Sequence, residues 1–244
     1  IVCEKPFVNS PAELRRVREV LGRTGVKLVG GHMRRYLGVF QRARELYSGG
    51  ALGNPVMCMA GIPNWDLSEW GSHWLDMFRF LHEDRPVRWV LGQGRVREHR
   101  SFGHAMEDHA VAYFEFEGGG KGIVDGGVQI GECTMTLVGS EGTIRVYGEG
   151  KLAVDTAEGR KIEEIPGDYQ SAWDGVINGL IDWIEGGEEP TVGLTQIAAS
   201  AELNLAAYLS MVRGDRVDLP LDDEAGEIDE WPVDILARRY TART

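Results

Sequence analysis

Apolar residues recur near the start of the chain at two different spacings. Leu14, Val17 and Leu21 share one helical face, and Ser10 stands before them as a candidate N-cap. Short apolar runs on either side of this helix, IVC from residue 1 and KLV from residue 27, are typical of buried strands. The segment 27–36, KLVGGHMRRY, is therefore predicted to be a strand. A strand, a helix and a strand in this order predict a right-handed parallel crossover, the closing part of a doubly wound sheet.

The remaining positions predict a different architecture. Helical spacing predicts further helices, which are residues 38–52, 68–82, 172–187 and 194–214. Between Val87 and Ile165 the apolar positions alternate in short runs separated by glycine-rich turns, as in an antiparallel sheet of several strands. RVDLPL, residues 216–221, is predicted to be a closing strand, and the acidic segment 222–234 is predicted to be surface.

These elements predict an α/β remnant followed by an α+β domain with a large, mainly antiparallel sheet. We place the boundary after Tyr36, which gives residues 1–36 as the remnant and residues 37–244 as the second domain. Helices are expected to cover one face of the sheet. The open face is expected to support self-association, since five residues supply more apolar surface than two helices would cover: Trp89, Val90, Tyr113, Phe114 and Phe116.

Composition narrows the class of protein. The chain has 244 residues, 43% hydrophobic content and a formal charge of −12, so a sizeable core is expected and nucleic acid or an anionic membrane is disfavoured as a partner. No apolar run approaches the roughly 18 residues of a membrane span, and no leader is apparent, so a soluble cytoplasmic protein is expected. Cys3, Cys58 and Cys133 are few and far apart, which favours reduced structural thiols.

The sequence does not support a phosphate-binding loop of a common kind or a metal site. Neither GxGxxG nor GxxxxGK[ST] occurs, and the glycine cluster at 118–122 is predicted to be a hairpin turn. His99, His104 and His109 stand five apart, a spacing that shares no face of a helix or strand, so no metal site is predicted.

The segment SEWGSHWLDMFRFL, residues 68–81, holds the most suggestive cluster. On a helix, Glu69 and Asp76 would each lie within one turn of His73. One interpretation is an acid/base cluster. The other is an ordinary helix start, where acidic residues favour the first turn and a histidine is held by a neighbour.

Three motifs in order resemble the glucose-fructose oxidoreductase, inositol dehydrogenase and MocA (Gfo/Idh/MocA) family of sugar dehydrogenases. They are EKP at 4–6, HMRRY at 32–36 and EWGSHWLD at 69–76. The chain departs from the family in two respects. Glu69 stands where the family usually has aspartate, and the amino-terminal Rossmann half with its glycine-rich loop is missing, which suggests a truncated gene or a fragment.

The resemblance implies an NAD(P)-dependent oxidoreductase that oxidises a secondary hydroxyl of a sugar, cyclitol or related polyol. It implies that Glu4, Lys5 and Pro6 meet the NAD or NADP cofactor, and that Lys5 also reaches the substrate hydroxyl. His73 suits the role of base, with the Glu69 carboxylate fixing its tautomer. For Asp76, orientation of His73 or Lys5 and simple local pairing are equally open.

Three further residues are predicted to bind substrate. Arg34 has a fixed fork of donors for a sugar hydroxyl or carboxylate, although a surface ion pair would also explain it. Trp65 and Trp70 flank the cluster and are suited to stacking on a sugar ring, although core packing explains indoles equally well.

Two other functions stay open. Relatives with this fold use bound nicotinamide transiently as glycosidases or lyases, and a chain without a dinucleotide loop is also compatible with a non-catalytic assembly domain. The expected partners are a small sugar or polyol and further copies of the chain.

Overall fold

The computed structural model describes residues 1–64, 66–97, 100–101, 103–128 and 134–241. The first unit consists of β1 (Val2–Cys3), α1 (Pro11–Thr24) and β2 (Val29–Gly30). The two strands pair in parallel, with Val2 opposite Val29. The predicted cap is confirmed, because Ser10 Oγ accepts a hydrogen bond from the Glu13 N–H at 3.1 Å.

The strand predicted over residues 27–36 is wrong beyond Gly30. Met33–Tyr36 form a 3₁₀ turn instead. A strand sends neighbouring side chains to opposite faces, whereas Arg34 and Arg35 are both buried, 5% and 1% exposed. The tighter turn lets two consecutive arginines enter the interior.

The rest of the chain builds one large sheet and its covering helices. The helices are α2 (Gly38–Ser48), α3 (Ser72–Leu81), α4 (Tyr169–Ile184), α5 (Leu194–Arg213), α6 (Asp223–Gly226) and α7 (Pro232–Thr241). The strands are β3 (Pro55–Pro63), β4 (Val87–Arg95), β5 (Arg100–Ser101), β6 (His104–Ala105), β7 (His109–Phe116), β8 (Lys121–Val128), β9 (Thr134–Gly139), β10 (Gly142–Tyr147), β11 (Lys151–Thr156), β12 (Gly159–Glu164) and β13 (Val217–Asp218).

Within the part of the chain that the structure describes, nine strands form the sheet in the order β12-β11-β10-β9-β3-β8-β7-β4-β13. Every neighbouring pair in it is antiparallel except β3 and β8, which run parallel with Met57 opposite Lys121. The predicted mainly antiparallel sheet is therefore confirmed. β5 and β6 form a separate two-stranded ribbon.

Helix α5 lies directly against β4 on the covered face of the sheet. Gly92 permits this approach, since a Cβ there would collide with the carbonyl oxygen of Ala207. The Gly92 N–H donates to Ser210 Oγ at 2.8 Å, so the buried strand keeps its hydrogen bond.

The helices cover more of the five listed apolar residues than expected. Val90, Phe114 and Phe116 are fully buried beneath them. Side chains alternate along a strand, and only Trp89 and Tyr113 of the five residues reach the other face, where their ring centroids lie 5.5 Å apart.

The acidic segment 222–234 is not simply surface. It enters α6 and α7, and Trp231 and Val233 are buried. Trp231 Nε1 donates to the Ala105 carbonyl at 2.9 Å, and its ring packs on Tyr208. The sequence did not indicate that Trp231 and Val233 are buried, because acidic residues dominate the composition of this segment.

Candidate active site

Lys5 and Glu69 bring two of the sequence motifs into contact. Lys5 follows β1, and Glu69 lies in a π-helical turn, Leu67–Gly71, that leads into α3. Lys5 Nζ donates to the Glu69 carbonyl oxygen at 2.5 Å, and Ser72 Oγ donates to the same oxygen at 3.2 Å. Burial lowers the pKa of Lys5, and the charge of Glu69 partly opposes this shift. The half-buried amine therefore sits beside the predicted acid/base cluster.

Two carboxylates hold the π turn in place. Asp66 Oδ1 accepts from the Glu69 N–H at 2.6 Å, and the Gly71 N–H bonds back to the Asp66 carbonyl at 2.9 Å. Glu107 Oε1, from the loop before β7, accepts from the Leu67 N–H at 2.7 Å. The first donors of a helix have no partner within it, and these carboxylates supply one.

His73 is half-buried in the first turn of α3. Its ring meets the edges of His32 and Trp70, with centroids 5.9 and 6.3 Å away, and its Nδ1 is buried without a hydrogen-bond partner. Burial, with help from the charges of Arg34 and Lys5, puts the pKa of His73 well below its usual value. A neutral imidazole at neutral pH has a nitrogen free to accept a proton.

The expected contact between Glu69 and His73 is absent. The Glu69 carboxylate instead accepts from Ser101 Oγ at 2.8 Å. The π turn explains the difference, because its wider winding no longer stacks residues four apart as an α-helix does. Glu69 therefore meets Lys5 through its backbone carbonyl and leaves the His73 ring to its aromatic neighbours.

Asp76 hydrogen-bonds neither His73 nor Lys5. Its carboxylate accepts from Arg35 Nε and Nη2 at 2.8 and 2.7 Å and from Ser200 Oγ at 2.7 Å. Burial opposes its ionisation, but the Arg35 guanidinium outweighs burial and holds the pKa of the Asp76 carboxyl well below its usual range. Of the two interpretations, pairing fits the contacts, although the partner lies far away in sequence.

Arg34 is enclosed by aromatic rings. Its guanidinium carbon lies 5.2 Å from the ring centroid of Trp70 and 5.3 Å from that of Trp74, and Nη2 pairs with Glu149 at 2.6 Å. Nε and Nη1 are buried without partners. A guanidinium held in this way keeps donors in reserve, so the predicted surface ion pair is replaced by a buried one.

The other predicted residues occupy different environments. Glu4 is exposed, and its Oε2 accepts from the Lys5 N–H at 3.2 Å. Pro6 lines a cavity of about 10 Å³ beside His32 and Asn204. Trp70 is half-buried over Arg34 and His73. Trp65 lies outside the described residues, as do His99 and Cys133.

Sequence reasoning missed His32 and Glu107. His32 is buried with both ring nitrogens unpartnered, and Glu107 is 2% exposed. His32 belongs to the quoted HMRRY motif, and its place two residues before Arg34 was an available signal. Glu107 stands next to Asp108 shortly before a strand, and nothing in the sequence there indicates that this carboxylate is buried.

The described residues hold neither a metal-binding cluster nor a membrane-spanning helix. Across the ranges that the structure describes, no group of three or more His, Cys, Asp or Glu side chains is arranged to hold a metal ion. No helix within those ranges is long and apolar enough to cross a membrane.

Comparisons with known proteins relate this geometry to a family. Residues 40–145 match the model of the GFO/IDH/MocA C-terminal domain. Over these residues the chain is similar to the C-terminal domain of the Gfo/Idh/MocA family. Inositol 2-dehydrogenase of Streptomyces avermitilis is 27% identical over 237 residues, covering 91% of this chain and 69% of that protein. D-apiose dehydrogenase of Paraburkholderia graminis is 26% identical, covering 89% of this chain and 66% of that protein.

Solved structures share the fold of this chain. An NADPH-dependent oxidoreductase described from Desulfitobacterium hafniense has a TM-score of 0.77 at 19% identity, covering 89% of this chain and 72% of that one. An inositol dehydrogenase homologue from Azotobacter vinelandii, solved with NADH and myo-inositol, has a TM-score of 0.71 at 17% identity over 89% and 71% of the two chains. Among the curated relatives, the alignments span as little as 46% of the protein from Rubrobacter xylanophilus and 50% of that from Saccharopolyspora erythraea.

Proposed function

We propose that this chain supplies the substrate-binding side of an NAD(P)-dependent oxidoreductase that oxidises a secondary hydroxyl of a sugar, cyclitol or related polyol. One observation carries the proposal: the Lys5 amine bonds the Glu69 carbonyl, one turn before the neutral imidazole of His73. Alcohol oxidation needs a base for the hydroxyl proton and a cation for the developing alkoxide. Inositol and apiose dehydrogenases among the relatives support the same class of reaction.

The residues of the site take distinct roles in this proposal. His73 accepts the hydroxyl proton, and the Lys5 ammonium polarises the same oxygen. Arg34 donates its unpaired N–H groups to other oxygens of the substrate, while Trp70 packs against the C–H face of the substrate. Glu69 and Asp76 are proposed to position these groups, through the contacts of Glu69 with Lys5 and Ser101 and of Asp76 with Arg35 and Ser200.

Nicotinamide, when bound, accepts the hydride. The residues from Glu4 to Pro6 are suited to contact the nicotinamide end of the cofactor. They follow the carboxyl end of β1, and ligands of open parallel sheets bind at that end of the strands. The partly buried Lys5 amine, 2.5 Å from the Glu69 carbonyl, offers a donor at that edge. The parallel strands β1 and β2 with α1 between them support the proposal that residues 1–36 belong to a dinucleotide-binding domain and residues 37–244 to the substrate domain.

The open face of the sheet is proposed to join copies of the chain. Leu91 is 47% exposed there, next to the half-buried pair Trp89 and Tyr113. Apolar side chains grouped on one uncovered face favour association over solvation.

The experiment is a cofactor titration followed by a polyol screen. The chain is tested alone and joined to the dinucleotide-binding domain of the S. avermitilis relative, with NAD and NADP and with cyclitols and sugars. Nicotinamide reduction by the joined protein, lost in Lys5→Met and kept in a control at the exposed Lys161, Lys161→Met, is the expected result. Turnover without net nicotinamide reduction would point to a glycosidase or lyase. The absence of both cofactor binding and turnover would leave an assembly domain.

A further inference from the structure

Glu107 is a buried acid that contacts two separate parts of the candidate site. It lies between β6 and β7 and is 2% exposed. Its Oε1 accepts from the Leu67 N–H at 2.7 Å and from the Tyr208 hydroxyl at 2.9 Å, while Oε2 is buried without a partner. A carboxylate in such a place lacks the further hydrogen bonds that a buried charge requires.

No cation compensates this acid within the described ranges. Among ionisable groups, Asp66, before the π turn, and Tyr208 of α5 act on it most strongly. His104, three residues before Glu107, pairs with a different carboxylate, that of Asp234 in α7, at 2.9 Å. Burial raises the pKa of Glu107 to about 8, and the charge of Asp66 adds to the shift.

The contacts of Glu107 lead directly to the proposed reacting groups. Leu67, whose N–H it binds, is the first residue of the π turn. Two residues later the Glu69 carbonyl receives the Lys5 amine, and α3 begins one residue before His73. A shift of the Leu67 amide would therefore move the acceptor of Lys5 and the start of the His73 helix together.

We propose that Glu107 is a positioning residue that anchors the π turn to α5 as an uncharged carboxylic acid. The anchoring stands on the contacts alone, while its importance for catalysis rests on the function proposed above. Ionisation would place a second negative charge beside Asp66 in a site closed to water. The turn then opens to hydrate that charge, and the contact between Lys5 and Glu69 loosens.

The first test measures the charge and the anchoring directly, without enzymatic activity. In the chain labelled with ¹³C at glutamate carboxyl carbons, the Glu107 resonance is assigned by its loss in Glu107→Gln. We expect it to keep the shift of a protonated acid at pH 7 and to titrate near pH 8. Amide exchange of Leu67 is expected to speed up more than tenfold, relative to the intrinsic rate, between pH 7 and pH 9.5. A Glu107 carboxyl that is ionised at pH 7 would overturn the proposal, whether or not Tyr208→Phe folds.

Variants separate positioning from general structure. Glutamine keeps an oxygen acceptor and carries no charge, so Glu107→Gln should retain Leu67 protection at pH 7 within about threefold and lose the alkaline rise in exchange. Tyr208→Phe should weaken protection at both pH values. Glu188→Gln makes the same chemical change at an exposed residue and should keep the wild-type pH profile. Equal alkaline opening in wild type and Glu107→Gln would contradict the proposal.

Activity then links the anchor to the reaction. In the protein joined to a dinucleotide-binding domain, kcat should fall above pH 8 in wild type, and this alkaline limb should disappear in Glu107→Gln. If the joined protein has no dehydrogenase activity, the proposed function fails while the carboxyl titration and the Leu67 exchange still decide the anchor. An unchanged alkaline limb in Glu107→Gln, with opening confirmed, would remove its catalytic role.

Discussion

Asp76 and Arg35 form a doubly hydrogen-bonded ion pair at the centre of the fold, with side chains 1% and 0% exposed. The pair joins the 3₁₀ turn that carries Arg34 to the helix that carries His73. Asp84 adds a second carboxylate to the same guanidinium at 2.8 and 2.9 Å. The two arginines of the HMRRY motif thus differ in role. Arg35 is structural, and Arg34 keeps N–H donors without partners.

Removing Asp76 should destabilise the protein strongly. Asp76→Ala leaves Arg35 with an uncompensated share of buried charge, which costs about 3–5 kcal/mol of unfolding free energy. Urea denaturation of the chain measures this. The control is Asp155→Ala, which breaks an exposed pair with Arg160 and should change stability little. Equal losses of unfolding free energy in the two variants would show that the buried pair contributes no more to stability than the exposed pair.

The same pair predicts how stability depends on acid. Because the folded pKa of Asp76 is lowered, its contribution is fully present above about pH 4, the unfolded value, and is lost as pH falls towards the folded value. The difference in unfolding free energy between wild type and Asp76→Asn should therefore shrink steadily below pH 4. A constant difference down to pH 2 would contradict the assigned shift.

Lys5 and His73 should matter for turnover much more than for folding. In a protein that shows nicotinamide reduction, Lys5→Ala or His73→Ala should lower kcat roughly 10²- to 10⁴-fold, the usual worth of a positioned acid or base. The Lys5 side chain is half-buried and makes one hydrogen bond. Lys5→Ala should therefore change the unfolding free energy of the protein by only about 0.5–1.5 kcal/mol. Loss of folding in parallel with loss of turnover would return both residues to a structural role.

Sequence periodicity predicted the fold well where one period dominates a segment. α5 was expected at 194–214 and is found at Leu194–Arg213, because its apolar pattern extends over five turns. The run 27–36 was misread because its apolar start resembles a strand, while the turn that follows is set by buried partners of Arg34 and Arg35 distant in sequence. Long-range pairing of this kind leaves no mark in local spacing.

The candidate site was predicted in part for a similar reason. The motif resemblance implied that Lys5 reaches the substrate hydroxyl, but it did not predict that Lys5 Nζ donates to the Glu69 carbonyl at 2.5 Å. The contact between Glu69 and His73 was derived from α-helical spacing, which a π turn does not obey. Glu107 could not be identified at all, because its role depends on burial created by Tyr208, 101 residues later.

Glu107 predicts a pH dependence of stability with the opposite sign to that of Asp76. Its folded pKa, about 8, is raised above the unfolded value, so its contribution is fully present below about pH 4.3 and is lost as pH rises through 8. The Glu107→Gln variant removes this titration. The unfolding free energy of wild type relative to Glu107→Gln should therefore fall between pH 5 and pH 8, by up to about 1.4 kcal/mol per pH unit. A flat or rising difference would contradict an uncharged acid.

The open sheet face gives a prediction about assembly. Wild type is expected to sediment as an oligomer of the 27.0 kDa chain. Leu91→Glu places a charge beside Trp89 and Tyr113 on that face, and since Leu91 is already 47% exposed, the fold itself should tolerate the change. Analytical ultracentrifugation should therefore show dissociation with an unchanged circular dichroism spectrum. The control Ile184→Glu, on the exposed side of α4 at 61% exposure, should leave the oligomer intact. A monomeric wild type, or dissociation by both variants, would show that this face does not join copies of the chain.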